Sequence, residues 1–393
     1  MKKNEILVLA SVAIASVVLP HLGVAAEVDF SGYARYGAHY QAGDKQYVEV
    51  GTTGRSLGRL GNEVNGGEFQ LSTTFEGGNG AQWDLVVLFD NWAHEDWSSP
   101  GGVDLKKAYA GVKNIIPSQP QMYFWAGRDF HGRATQSLND YYYLTHDGQG
   151  GGFKDLDLGA GLFDLGFVGN VKNGDGGSLG SDEGSYALTT KFHGVETFVG
   201  TMDFYANYGF TSEAGDPSLR DRKPWQVAAT LDIGGNHKAI VRYSEDSDNT
   251  VLIQPWDFSS EEDDLQIIFA SLEGTFNKGN PLSVQYLISY KEFAGMEGTE
   301  PRDKNEYAAI VRPMYSWNDI HSTWFEAGYA VEDFENGNEK KGWKTTISQN
   351  ISLGGLSWSR PMLRFYVTMG EVDDFDSTKY DTLSYGAMFE AWW

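Results

Sequence analysis

Residues 27–40 read EVDFSGYARYGAHY. Val28, Phe30, Ala34, Tyr36, Ala38 and Tyr40 share one parity, with Gly32 among them. Asp29, Ser31, Tyr33, Arg35, Gly37 and His39 share the other. Such period-two alternation makes a β-strand with one greasy and one polar face. The polar face nevertheless carries a tyrosine beside an arginine, and that pair needs a reason.

The alternation recurs along the chain. In AQWDLVVLFDN (81–91), Trp83, Leu85, Val87 and Phe89 oppose Gln82, Asp84 and Asp90. In EFQLSTTFE (68–76), Phe69, Leu71 and Phe75 oppose Glu68, Gln70, Ser72 and Thr74. LSVQYLISYK (282–291) and MLRFYVTM (362–369) repeat the pattern. Turn signals such as Gly77-Gly78-Asn79-Gly80 and Gly234-Gly235-Asn236 separate the runs. Short turns alternate with longer polar stretches, as at 173–184 and 294–304. Short connections on one side and long ones on the other are the plan of an outer-membrane barrel. The alternating runs number about 18, so the expected fold is all-β: one closed antiparallel transmembrane barrel over 27–393. The last strand, LSYGAMFEAWW, ends on Trp393, which suits an aromatic girdle at the membrane interface.

Residues 1–26 read as a signal peptide. Lys2 and Lys3 precede an apolar run, Ile6 to Pro20, and Val24-Ala25-Ala26 supplies small residues for cleavage. A membrane anchor is the rival, but roughly 15 apolar residues is short for a span. Removal of 1–26 takes Lys2, Lys3 and Glu5, so the net charge moves from −24 to −25. That balance argues against nucleic acid or anionic lipid as partners through a basic face. The chain has no cysteine. A secreted chain of this size needs no disulfide if its strands close on themselves.

A ring exposed in a water-filled lumen is poorly solvated unless something stacks on it. Sugars offer an apolar CH face to a ring and a hydroxyl rim to Arg, Asp or Glu. Tyr33 beside Arg35 is such a pair, and so is Trp392 beside Glu390. Trp358 shares parity with Arg360, Arg364 and Tyr366. The alternative is that each ring fills a gap against an inserted loop, since aromatics most often serve packing.

Several motifs resemble the maltoporin (LamB-type) family of sugar-specific outer-membrane porins. They are VDFSGYARYG at the mature start, RLGNE (59–63), FWAGRDFHGR (124–133), NDYYYL (139–144), VRPMYSW (311–317), LSWSRPMLRFYVT (356–368) and FEAWW (389–393). The resemblance implies an 18-stranded barrel in a homotrimer of the Gram-negative outer membrane, surrounded by lipid, passing oligosaccharides such as maltodextrins without catalysis or cofactor. It implies a sugar-stacking slide of Tyr33, Trp97, Trp256, Trp358 and Trp392, with Trp97 reaching a neighbouring subunit's pore. Tyr142, in an inward-folded third loop, resembles the ring that narrows the channel. The polar track would be Arg35, Arg59, Glu68, Lys106 in place of an arginine, Arg133 and Asp140. Three departures stand out. Glu49 and Val64 lie near where enteric members carry a cysteine pair. A slide tyrosine expected after RLGNE falls on Gly66-Gly67. Thr135 and Ser137 replace acidic and histidine residues of the third loop.

Other signals carry less. GGSLG (176–180) and GQGGG (148–152) lack the helix that a nucleophile elbow or phosphate loop requires. His94, His131 and His146 lack metal-ligand spacing. Glu261-Glu262-Asp263-Asp264 and Asp373-Asp374-Asp376 could hold Ca²⁺, but solvated loop charge is the preferred reading. A secreted carbohydrate-binding or carbohydrate-active β-protein would use the same ring-and-carboxylate chemistry, and is the second hypothesis.

Overall fold

A computed structural model of the chain describes residues 27–92, 102–171, 184–212, 220–252, 265–295, 303–374 and 378–393. The expected leader over 1–26 lies outside the described residues. The strands in chain order are β1 (Val28–Gln41), β2 (Gly66–Glu76), β3 (Gln82–Trp92), β4 (Asp104–Lys113), β5 (Tyr123–Asp129), β6 (Ala134–Gln136), β7 (Tyr141–Leu144), β8 (Gly148–Asp157), β9 (Leu162–Val171) and β10 (Gly184–Glu196). There follow β11 (Thr201–Thr211), β12 (Trp225–Ile233), β13 (His237–Glu245), β14 (Gln266–Phe276), β15 (Leu282–Ala294), β16 (Lys304–Ser316), β17 (His321–Phe334), β18 (Glu339–Ser352), β19 (Met362–Asp373) and β20 (Lys379–Trp392).

All but β6 and β7 belong to one 18-stranded antiparallel sheet. Each barrel strand pairs with the next barrel strand in sequence, β5 with β8 across the inserted hairpin, and β1 pairs with both β2 and β20. The sheet therefore has no free edge, which a lipid environment demands. The seam is held to the last residue: Gly32 N–H donates to the Trp393 carbonyl (3.1 Å), and Trp393 N–H returns to Gly32 (3.2 Å). Trp393 also packs on Phe30 and Phe69 outside the wall, at centroid distances of 5.6 and 5.9 Å. Among the described residues no helix is long and apolar enough to cross a membrane; the crossing elements are the strands.

The two faces segregate as the period-two pattern expects. Trp83, Leu85, Ile288, Leu363, Phe365 and Tyr385 project outward and are exposed. Lys291, Arg364, Thr368 and Ser384 point inward and are buried. Buried charge inside a barrel needs partners, and two inserted loops supply them. Both fold in from the end with the long connections.

The third loop, 130–147, contains the β6–β7 hairpin and covers the wall of β12–β16. Tyr141, Tyr143 and Leu144 pack on Ala228, Ile240 and Phe269, while Leu138 packs on Leu287 and Ile310. The first loop, 42–65, folds inward as well, which the sequence reading did not anticipate. Val48, Val50 and Leu57 pack on Ala308, Ala330 and Val372. Leu60 packs on Met314, Trp324 and Met362. Burial of a large aliphatic side chain is worth about 2 kcal/mol, so these apolar seats fix both loops. The loops also join each other: Arg55 N–H donates to Asn139 O (2.6 Å) and Arg59 N–H to Leu138 O (2.9 Å). What remains open lies between the loops and the wall of β20, β1, β2 and β3, and reaches Thr275, Gln285, Arg312 and Trp324 of β14–β17 on the far side.

Candidate functional site

That opening is a cavity of about 1050 Å³. Strand register sets its wall. Tyr33 pairs with Glu68 on β2 and with Trp392 on β20. Arg35 pairs with Gly66 and Glu390. Inward parity thus brings Tyr33, Arg35, Glu68, Glu390 and Trp392 into two adjacent rows. The first loop contributes Arg55 and Arg59 from the opposite side. The third contributes Arg133, Thr135, Ser137, Asp140 and Tyr142. Trp358 and Arg360 also line the cavity. They do not hold strand parity with Arg364 as the sequence reading had it. The strand starts only at Met362, and both residues sit in the preceding connection, 353–361.

Of the expected site residues, Tyr33, Trp358, Trp392, Tyr142, Arg35, Arg59, Glu68, Arg133 and Asp140 all border this one space. Lys106 stands aside, its ammonium 3.3 Å from Asp104 and 4.0 Å from Asp90. The β3–β4 register shifts between Leu88 and Phe89, beside it, and such a bulge re-aims a side chain. Trp97, Trp256 and the acidic run 261–264 lie outside the described residues, as does the 176–180 motif. Asp373 and Asp374 face Lys379 (3.1 Å) and Lys340 (3.6 Å); Asp376 lies outside the described residues.

The charged groups form a bonded mesh. Glu390 accepts from Tyr33 Oη (2.9 Å), Arg59 Nη2 (3.1 Å), Arg360 Nη2 (2.6 Å) and Arg364 Nη2 (3.1 Å). Asp140, held at φ 52°, accepts from Arg35 Nη1 (2.8 Å) and faces Arg59 (3.4 Å). Arg35 is only 7 % exposed and also donates to the Val64 carbonyl (2.9 Å). It therefore ties both inserted loops to the wall. Burial alone would depress Arg59, but the Glu390 and Asp140 carboxylates more than offset it and hold the guanidinium well above its usual range. Arg133 donates to Asp147 (2.9 Å) and lies over the rings of Phe130 (3.3 Å) and Tyr142 (5.0 Å). Burial raises the Tyr142 hydroxyl above its ordinary value, so it is a neutral donor. Aromatic rings thus line the cavity from the wall (Tyr33, Trp392), the third loop (Tyr142) and the 353–361 connection (Trp358), with charged donors and acceptors among them.

Sequence reasoning missed Trp92. It extends the inward parity of Asp84 and Asp90 by one step, lines the cavity, and lies against Tyr33 at 6.0 Å.

Behind the third loop two histidines are buried. His131 Nε2 lies 2.7 Å from Thr189 Oγ1, and its ring stacks on Trp125 at 5.1 Å. His146 Nε2 accepts from Val251 N–H (3.5 Å), which requires the nitrogen unprotonated. Burial, with Lys154 adding, pushes His131 down to about 4 against the pull of Asp164. Burial, with His131 and Arg242 adding, pushes His146 to about 3. Both pKa values fall below the unfolded value near 6.5. The neutral rings therefore favour the seated loop fully above pH 6.5, and this is lost as pH falls toward 4 and 3. At pH 5 each histidine costs about 2 kcal/mol relative to neutral pH. We expect thermal melting of the detergent-solubilised protein to drop between pH 7.5 and pH 5. The double variant His131→Gln/His146→Gln should show a flatter pH slope; an unchanged slope would refute the linkage.

The closed barrel, its outward apolar surface and its loop-narrowed lumen define an outer-membrane channel of the β-barrel porin class. The LamB porin family model matches residues 28–393, so the chain belongs to the LamB porin family and to the outer membrane of a Gram-negative bacterium. Among solved structures, OccK3 (OpdO) of Pseudomonas aeruginosa shares 11 % identity at a TM-score of 0.52, over 94 % of this chain and 95 % of that one. OccK1 (OpdK) of the same organism shares 11 % at 0.51, over 94 % and 99 %. These likenesses speak to the barrel fold alone. The family and the closed barrel support an outer-membrane channel over the secreted β-protein of the second hypothesis.

Proposed function

We propose that this channel passes oligosaccharides, of the maltodextrin kind, by facilitated diffusion and without energy or cofactor. The observation that supports this most is the shared lining of one cavity by Tyr33, Trp358 and Trp392, with Arg59, Glu68, Asp140 and Glu390 within the same space. Rings take a sugar's CH face, and charge-assisted hydrogen bonds take its hydroxyls. A chain of such weak sites recruits a sugar and still releases it. On this reading Tyr33, Trp358 and Trp392 form the slide, with Trp97 and Trp256 extending it. Arg35, Arg59, Glu68, Arg133 and Asp140 form the polar track, Lys106 acting through Asp90, and Tyr142 narrows the passage. The working unit is a homotrimer in lipid, with 1–26 removed as a leader. A gel run before and after boiling tests the assembly.

The transport test is conductance in planar bilayers titrated with mono-, di- and oligosaccharides. We expect maltodextrins to block ion current in a saturable way at millimolar concentration, longer chains more strongly. If no sugar in the panel blocks, the channel is a general porin.

A further inference from the structure

Gly66 of β2 faces Trp92 of β3 in the strand register, and on its other side faces Arg35 of β1. The row therefore reads Trp92, Gly66, Arg35, with a gap in the middle. The indole of Trp92 fills that gap. A Cβ on Gly66 would lie 2.3 Å from Trp92 Cε3, closer than any real contact. Leaning across the glycine, the indole stacks with Tyr33 at 6.0 Å and an interplanar angle of 28°. The Arg35 guanidinium lies 5.3 Å from its centroid. A ring that merely filled a void would be buried. Trp92 and Tyr33 are both only partly buried, and both line the cavity. Tyr33 in turn pairs with Trp392. The aromatic surface thus runs from β20 across β1 and, past Gly66 of β2, to β3, two strands beyond Tyr33.

We propose that Trp92 is a sugar-stacking ring of this channel, delivered from β3 across Gly66, and that it sets specificity at the Tyr33 end of the slide. The proposal rests on the sugar-channel reading above. An aromatic absent from Gly66-Gly67 is thereby replaced by one from the neighbouring strand. Strands lie about 4.8 Å apart, so the path is displaced sideways by about that distance. Arg35 occupies part of the indole's surroundings, so the sugar's hydroxyl rim meets a cation at this step.

The test uses the full-length channel and the variants Trp92→Ala, Trp92→Leu and Trp92→Phe in planar bilayers, titrated with maltotriose and maltohexaose. Thermal stability of the assembled protein is measured in parallel. Stacking needs a flat π face, and leucine fills space without one. Alanine and leucine should each raise the half-blocking concentration about three- to tenfold, the range expected for one lost ring contact. Phenylalanine should stay within about twofold of the parent. If leucine blocks like the parent and alanine differs only in thermal stability, the ring is packing and the proposal is overturned. Unchanged block in all three variants overturns it too, while the sugar-channel reading survives. A parent channel that neither sugar blocks removes both.

Discussion

Glu326→Ala should release the first loop from the barrel wall, raise single-channel conductance and lower the melting temperature. Glu326 lies on β17, fully buried, as is Lys344 of β18. One carboxylate oxygen accepts the Leu60 N–H (2.8 Å) and faces Lys344 Nζ (3.4 Å). The other accepts Arg312 Nε (2.9 Å). Lys344 Nζ itself donates to the Leu60 carbonyl (2.6 Å), and Thr346 Oγ1 to the same oxygen (2.8 Å). Gly58, at φ +99°, brings the loop backbone so close that a Cβ would meet Glu326 Oε1 at 2.3 Å. Removing the carboxylate leaves Arg312 and Lys344 buried without their anion. Breaking such a pair costs about 3–5 kcal/mol. The apolar seat of Leu57 and Leu60 is worth about 2 kcal/mol per side chain, comparable to that cost, so the loop loses most of its net hold on the wall. Loop and wall should part, and water should enter. Conductance recordings and thermal melts of the same preparation check both halves. A normal conductance with a normal melt would show that the loop is held by its apolar contacts alone.

Glu390→Ala should change what the lumen selects. Glu390 gathers Arg59, Arg360, Arg364 and the Tyr33 hydroxyl. Arg364 has a second carboxylate in Glu63, and Arg59 has Asp140. Arg360 is left with two backbone carbonyls, Ser357 and Ser359, and with the ring of Trp392 at 4.4 Å. Loss of the carboxylate therefore makes the open wall more positive by one unit and frees Tyr33 and Arg360 to move. The reversal potential in a KCl gradient should shift toward anions. Sugar block should weaken about tenfold, since one oxyanion positions a ring and three donors at once. Destabilisation of about 3–5 kcal/mol should accompany it. Glu390→Gln keeps the shape and one acceptor, so it should shift ion selectivity while losing less sugar affinity. If alanine leaves reversal potential and sugar block unchanged, Glu390 is purely a brace for the barrel seam.

The barrel itself was legible in the sequence because a strand in a lipid-embedded sheet has one rule. Every second residue meets hydrocarbon, and the others meet the lumen. Val28, Phe30, Trp83, Leu85, Leu363 and Phe365 declare that rule locally, with no help from distant residues. The short glycine-rich turns fixed where each strand reverses. Tyr33, Arg35, Glu68, Glu390 and Trp392 were placed on the lumen face by parity alone, and motif resemblance drew Arg59, Arg133, Asp140 and Tyr142 to the same channel.

Parity does not say what lies opposite a lumen residue. Phe269, Leu287 and Ile310 break the polar face of their strands, and only the folded chain shows them as seats for Leu138 and Tyr141 of the third loop. The inward course of the first loop was hidden for the same reason. Leu57 and Leu60 have no period of their own, and their partners Ala330, Trp324 and Met362 lie hundreds of residues away. Trp358 looked like a strand residue because alternation has no marker for a strand's first residue. Trp92 was missed because its importance comes from an empty place on the next strand, Gly66, and the register of β2 against β3 is a tertiary fact. Local alternation is enforced residue by residue by the solvent on each side of the sheet. Loop seating, charge pairing and the shape of the opening depend on which distant side chains meet, and those meetings exist only once the barrel has closed.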